Sequence, residues 1–250
     1  MYKFFVEKSQ MNDEAIRVTG SDLNHMKNVL RFKLGKEVLA SDGEGNDFLC
    51  AIEGYEEGYA LLKVVHRVEM STELPVEIVL YQGLPKKDKL ELVIQKSVEL
   101  GAAKIVPLAM KRSIVKLDEK SKVKKQIRWQ AIADAAAKQA KRGIQPEVGI
   151  PVSMKAIKEE LSSYDLLLIP YENALGMPYT REVLSEVKNC DRIGIVIGPE
   201  GGFDPEEINY LTGIGGKVIS LGKRILRTET AGLALMSYLM IDMEDNEHVC

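Results

Sequence analysis

Apolar and polar positions follow two rhythms along this chain. Up to about Met70 the apolar residues come in short runs broken by turn chemistry: "EVLASDGEGNDFLCAIEGYEEGYALLKVVHRVEM", residues 37 to 70, sets strand-like stretches between Asp-Gly, Gly-Asn and Glu-Gly pairs. That spacing predicts a small barrel of short strands. One helix interrupts it. In "SDLNHMKNVLRFKLG", Ser21 or Asp22 is the expected cap, Leu23, Met26 and Leu30 share a face, and Gly35 ends the element. "STELP", residues 71 to 75, reads as a linker.

From Val76 the rhythm lengthens. "VEIVLYQ", "KIVPLAM", "YDLLLIP", "RIGIVIG" and "GKVISLG" are apolar runs of strand length, with helices predicted between them over 88–100, 119–142, 179–188 and 204–212, and a last helix from Thr228. Strands alternating with helices predict a mostly parallel α/β sheet. Ligands of such sheets bind at the carboxyl ends of the strands, so chemistry is expected in the loops after Ile169, Ile197 and Leu221. Within the 119–142 helix, Lys124, Arg128, Gln139 and Arg142 fall on one stripe that should present cations outward. Trp129, Ala133, Ala136 and Ala140 form a separate small-residue face that should pack, with Trp129 in the core.

The stretch "IGIVIGPEGGFDPEEI" carries the strongest local signal. A buried strand runs into Gly198, Gly201 and Gly202, then into a helix start with Asp204 at the cap, Pro205 first, and Glu206 and Glu207 in the first turn. Asp204 and Glu207 are spaced as a capping box. Strand, glycine loop and helix often hold a phosphate, yet neither G-x-x-x-x-G-K-[ST] nor G-x-G-x-x-G is present, and "GIGGK" has Val218 where Ser or Thr is needed. The positive end of this helix is already matched by the chain's own carboxylates, and Glu200 adds another. Such a loop repels a pyrophosphate and suits a neutral or cationic ligand read by backbone groups; the plainer alternative is a tight turn holding nothing. Gly201 is expected to need φ > 0 or to let backbone approach the ligand. The loop "SLGKRILRTETAGLAL" follows the next strand, with Thr228 expected to cap a long apolar helix and Glu229 in its first turn. Two polar loops at one sheet edge favour a pocket.

Charge adds a second theme. The net charge is only -3, but residues 86 to 142 hold 16 Lys/Arg against 6 Asp/Glu, whereas the rest of the chain is acidic. A basic segment this long, mixed with Gln and apolar residues, points to a polyanion, although a solvated helix surface would have a similar composition. No apolar run approaches the length of a membrane span, and "MYKFFVEKSQ" lacks a long apolar region. Cys50, Cys190 and Cys250 are far apart and show no metal-ligand spacing. A soluble protein of the reducing cytoplasm, without a metal, is expected.

"IGPEGGFDPEE" and "LGKRILRTETA", together with "HMKNVLR", "QKSVELGAAKIVP", "RSIVK" and "AAAKQAKRGIQP" in this order, resemble the landmarks of the RsmE family of 16S ribosomal RNA uracil-N3 methyltransferases, within the SPOUT class. The resemblance implies an α/β fold with a knotted, mostly parallel sheet over residues 73–250, preceded by a PUA-like β-barrel that binds RNA over 1–72. It implies S-adenosylmethionine as cofactor, a homodimer, and 16S ribosomal RNA as partner, within the small ribosomal subunit. A sulfonium without phosphate makes an acidic glycine loop sensible. Carried over by motif, the cofactor residues are Ile169, Pro170, Tyr171 and Glu172 in the first loop, and Ile197, Gly198, Glu200, Gly201 and Gly202 in the second. The third contributes Leu221, Gly222, Ile225, Leu226, Arg227, Thr230 and Ala231. Arg227 is the implied donor to the uracil carbonyls, with a salt bridge to Glu200 or Glu229 as its alternative role. Glu229 is either a proton acceptor or an ordinary helix-capping carboxylate. RNA contacts fall to His25, Arg31, Lys86, Lys89, Arg112, Lys124, Arg128, Gln139 and Arg142; His25 reads equally as a satisfied surface histidine. The family's Glu-x-x-x-Gln-Ser/Cys-x-Arg helix reads "AKQAKR" here, with Lys138 departing from the pattern in a way that bears on RNA contacts.

Two other classes stay open at this level. One is an RNA-binding protein without a cofactor pocket, against which the intact loops argue. The other is a nucleotide-dependent enzyme, for which no phosphate loop is found.

Overall fold

The computed structural model describes residues 1–68, 72–172 and 174–244. The chain divides into two compact units. The first holds β1 (Lys3–Phe5), β2 (Ala15–Thr19), α1 (Gly20–Asn24), β3 (Glu37–Ser41), β4 (Asp47–Tyr55) and β5 (Tyr59–Val68). The second begins at Leu74 with β6 (Glu77–Gly83), α2 (Lys89–Glu99), β7 (Lys104–Leu108) and α3 (Glu119–Ala140). It continues through β8 (Glu147–Val148), α4 (Lys158–Ser162), β9 (Leu166–Pro170), α5 (Met177–Ser185), β10 (Arg192–Ile197), α6 (Pro205–Gly213), β11 (Lys217–Ile219) and α7 (Thr228–Met243). Residues 137–145, the last turn of α3 and the loop after it, belong to the first unit. That segment lies outside the 1–72 stretch expected to form the N-terminal domain.

In the first unit the strands run in the order β1-β3-β4-β5-β2, with β1 parallel to β3 and the other pairs antiparallel. Two register shifts between β4 and β5 bend the sheet. Strand alternation turns Ile16, Val18, Val38, Ala40, Ile52 and Leu62 to one face, where Phe4 and Met26 complete the core. α1 starts one residue before the expected cap. Thr19 is its cap residue and no side chain caps it. Asp22 accepts instead from the Lys138 ammonium at 2.8 and 2.9 Å. A π-type turn, His25–Val29, follows.

Polar contacts hold the 137–145 segment in this unit. Buried Lys3 pairs with Asp47 and donates to the Lys141 carbonyl at 3.2 Å. The Ser41 hydroxyl donates to the Gly143 carbonyl at 3.1 Å. Arg142 is only 3% exposed, and its Nε donates to both oxygens of Glu73 at 2.8 and 2.9 Å. Arg142 therefore does not stand on the outward cationic stripe that its spacing implied. α3 ends at Ala140, and Lys141 turns the chain at φ 60°. On the expected packing face Trp129, Ala133 and Ala136 are buried, while Ala140 at the helix end is half-buried.

The second unit's six strands are all parallel, in the order β11-β9-β10-β6-β7-β8. Strands such as β9 and β10 are buried almost throughout, as expected where both faces of a sheet are covered. The short β8 has no apolar run long enough to be read from sequence. α3 fixes it in place: Gln130 donates to Pro146 at 2.8 Å and accepts from Val148 at 2.8 Å, while Gln126 donates to Val148 at 3.0 Å. The chain builds outward from β6 through β7 to β8, then crosses to β9, and β10 is laid between β9 and β6. That reversal opens a crevice at the carboxyl ends of β6, β9 and β10. Gly83 is needed there because a Cβ would lie 2.6 Å from the Pro199 nitrogen.

Arg142→Met should cost about 3–5 kcal/mol in urea unfolding, because it removes the cation paired with the largely covered Glu73 carboxylate, and adding Glu73→Leu should not restore stability, because the Gly143 and Ile144 N–H groups then lose their acceptor. A single-variant loss below about 0.5 kcal/mol would mean that the pair is solvated.

Candidate functional site

Three loops enclose a pocket of about 630 Å³ at the carboxyl ends of β9, β10 and β11. Pro170, Tyr171 and Glu172 come from the first loop. Ile197, Gly198, Glu200, Gly201 and Gly202 come from the second. Leu221, Gly222, Ile225, Leu226, Arg227 and Ala231 come from the third. Two of the carried-over cofactor residues do not line it: Ile169 is fully buried in the core beneath, and Thr230 is exposed outside. Glu229 is also off the lining. Pro199, Phe203, Lys89, Lys223, Arg224 and Thr228 do line it. Pro199, Lys223, Arg224 and Thr228 fall within the expected cofactor loops 198–202 and 221–231, Lys89 was expected as an RNA contact, and Phe203 lies just past the second loop.

Local chemistry shapes the walls. Gly202 sits at φ 70° and its N–H donates to the Pro199 carbonyl at 2.9 Å, closing the turn. Gly201 is not at positive φ. Its missing side chain makes room for Arg112, whose Cβ and carbonyl oxygen would lie 3.0 and 3.2 Å from an added Cβ. The Arg112 guanidinium donates back to the Gly201 carbonyl at 3.2 Å. Tyr171 and Phe203 meet edge to face at 5.9 Å. Thr228 does not cap α7. The cap residue is Arg227, with no side-chain cap bond, and the Thr228 hydroxyl donates to the Gly198 carbonyl at 2.6 Å.

The capping box at α6 forms as expected. Asp204 accepts from the Glu206 N–H at 3.1 Å and Glu207 from the Asp204 N–H at 2.9 Å. Buried Glu207 also takes the Lys111 N–H at 2.8 Å. Across the pocket, the Lys89 ammonium lies 3.1 Å from Glu229 and 3.4 Å from Glu200, and Glu200 accepts the Lys86 N–H at 3.0 Å. Hydrogen bonding to Glu229 raises the Lys89 pKa, and Glu200 adds to it. Burial alone would raise the pKa of Glu229, but its own N–H, Lys89 and Arg227 outweigh it and hold the carboxyl below the usual range. Glu200 behaves the same way, with the Lys86 N–H as its main stabiliser against burial. Arg227 is exposed and, among the described residues, has no ion-pair partner. The salt bridges considered for it belong to Lys89.

A family model described as an RNA methyltransferase domain matches residues 72–240, and one described as an RNA methyltransferase PUA domain matches 18–65. Ribosomal RNA small subunit methyltransferase E of Bacillus subtilis (strain 168) is 32% identical over 98% of each chain. The chain belongs to the ribosomal RNA small subunit methyltransferase E family. It is an RNA methyltransferase. Two solved relatives share the fold of this methyltransferase over 96% of its length and 97% of theirs. One is a putative methyltransferase from Legionella pneumophila in complex with S-adenosylmethionine, 29% identical with a TM-score of 0.83. The other is ribosomal RNA small subunit methyltransferase E from Neisseria gonorrhoeae bound to S-adenosylmethionine, 27% identical with a TM-score of 0.82.

The basic residues of this methyltransferase take three kinds of place. Lys86, Lys89 and Arg112 hold the second pocket loop, as described. Lys124 and Arg128 are exposed on α3, and Arg128 donates to Glu91 at 2.9 Å. In the first unit His25, Arg31 and Gln139 are exposed, His25 stands edge-on to Tyr2, and Arg142 is buried. Lys138, the departure from the family pattern, is occupied by Asp22. Among the described residues no group of three His, Cys, Asp or Glu could hold a metal ion, and no helix is long and apolar enough to cross a membrane. Cys50 and Cys190 are free thiols; Cys250 lies outside the described residues.

The lowered pKa values of Glu200 and Glu229 make their contribution to stability pH-dependent. Their contribution to stability is complete above about pH 5, near and above the ordinary Glu value, and is lost as pH falls through the depressed folded values. Lys89→Met removes the cation behind part of that depression. The stability gap between parent and Lys89→Met should therefore be open at pH 7 and narrow as pH falls below about 4. A gap independent of pH, followed by thermal melts across this range, would show that Lys89 does not hold these carboxylates.

Proposed function

We propose that the protein transfers a methyl group from S-adenosylmethionine to N3 of a uridine in 16S ribosomal RNA of the small subunit. The observation that carries this reading is the three-loop pocket whose neighbouring helix end is filled by carboxylates. It offers backbone N–H and C=O groups beside apolar Tyr171, Leu221, Leu226 and Phe203, a set that suits an adenosyl sulfonium and not a pyrophosphate. S-adenosylmethionine, when bound, supplies a methyl group activated on a sulfonium. The chain's own part is to hold the uracil ring in line and to steady the negative charge that spreads over its carbonyls as N3 loses its proton. Arg227, on the pocket wall and without a carboxylate partner among the described residues, is assigned that donor role. Glu229 is a weak base when held ionised, so its role here is to hold Lys89.

In this reading residues 1–72 form the RNA-binding domain and 73–250 the methyltransferase domain, with the chain path of the latter knotted. Exposed Lys124, Arg128, His25, Arg31 and Gln139 are offered to RNA. The protein works in the cytoplasm as a homodimer, supported by exposed Leu92, Tyr238 and Ile241 on the mutually packed α2 and α7.

Small subunits lacking the modification, incubated with protein and S-adenosylmethionine and digested to nucleosides, should yield N3-methyluridine by mass spectrometry. Another methylated nucleoside, or none, would contradict the assignment. Arg227→Lys should slow single-turnover transfer by about 10²- to 10³-fold with cofactor affinity nearly intact. Glu229→Gln should cost less than about tenfold; a loss of about 10²- to 10⁴-fold would make it the general base after all.

A further inference from the structure

Gln82, the penultimate residue of β6, is fully buried and does not line the pocket. Its amide nitrogen donates to the Thr228 hydroxyl at 2.8 Å and to the Gly83 carbonyl at 3.1 Å. Its Oε1 is buried and has no hydrogen-bond partner among the described residues. The orientation of the amide follows from its neighbours. The Gly198 carbonyl can only accept, so the Thr228 proton goes to it at 2.6 Å, and Thr228 must in turn receive a proton from Gln82. The Gly83 carbonyl demands the same of the second N–H. Turning the amide over would place its oxygen against an acceptor.

An orphaned buried oxygen destabilises a fold, and this one points toward Gly232, where side-chain atoms of Leu80 and Ile197 also converge. One amide N–H serves the Gly83 carbonyl within β6. The other reaches the pocket, through one hydroxyl. Thr228 and Gly198 both line it, and Gly198 is the residue where β10 becomes the second loop.

We propose that Gln82 is a positioning residue for the cofactor: through Thr228 it fixes the Gly198 carbonyl, and with it the start of the second loop, in the orientation that the ligand meets. The relay joins the end of β6, the start of α7 and the loop after β10. It rests on the pocket being the S-adenosylmethionine site.

Gln82→Met keeps the length and shape of the side chain while removing both the donor and the orphaned acceptor. Its melting temperature should equal or exceed that of the parent, whereas its calorimetric Kd for S-adenosylmethionine should rise by about tenfold, roughly one hydrogen bond. Thr228→Val should raise Kd at least as much, and the double variant should be no worse than Thr228→Val alone, because both act through one carbonyl. Parental affinity in Gln82→Met, or losses that multiply in the double variant, would overturn the proposal. So would failure of Gln82→Met to fold, which would make the amide a structural requirement. If the parent itself binds no S-adenosylmethionine, the cofactor reading fails and not this relay alone.

Discussion

The carboxylates at the amino end of α6 set what the pocket accepts. Asp204 and Glu207 satisfy the first turn's N–H groups, and Glu207 reaches on to the Lys111 N–H, so that helix end is closed to an incoming anion. A strand–glycine–helix arrangement that elsewhere cradles phosphate is thereby turned to a ligand without one. The loops present backbone groups and apolar side chains, and two of the nearby cations are already engaged, Lys89 by two carboxylates and Arg112 by the Gly201 carbonyl, while Lys223 and Arg224 on the third loop are exposed. Arg227 lines the wall without such a partner among the described residues.

Much of the second unit was legible because its signals are local. The apolar runs became β6, β7, β9, β10 and β11, and the D-P-E-E helix start formed its capping box as spaced. The expected loops converge because a parallel sheet brings strand ends to one edge, which needs only the order of elements. The order of strands itself was not legible. Inserting β10 between β9 and β6 is a tertiary choice that no periodicity encodes, and the knot expected from the family resemblance is likewise a matter of chain path.

Several misreadings share one cause: a side chain with a strong local role was taken by a distant partner. Thr228 precedes an apolar helix as a cap would, yet its hydroxyl serves Gly198, thirty residues away in sequence. Ser21 and Asp22 stand where a cap is expected, and Asp22 serves Lys138. Arg142 shares a helical stripe with Arg128 only if the helix continues past Ala140; it stops there, and Glu73 buries the guanidinium. Lys89 belonged to a basic segment suggestive of RNA, and only folding brings Glu200 and Glu229 to it. Gln82 carried no signal at all, since a single polar residue near the end of an apolar strand is indistinguishable from an edge residue until its neighbours are known.

Calorimetric titration of the purified protein with S-adenosylmethionine and, separately, with NAD tests the selectivity of this helix end most directly. Saturable binding of S-adenosylmethionine, one per chain, is expected, with no heat from NAD, whose pyrophosphate finds Glu200 on the wall and the α6 helix end already satisfied. NAD binding as tight as that of S-adenosylmethionine, or silence with both, would contradict this expectation.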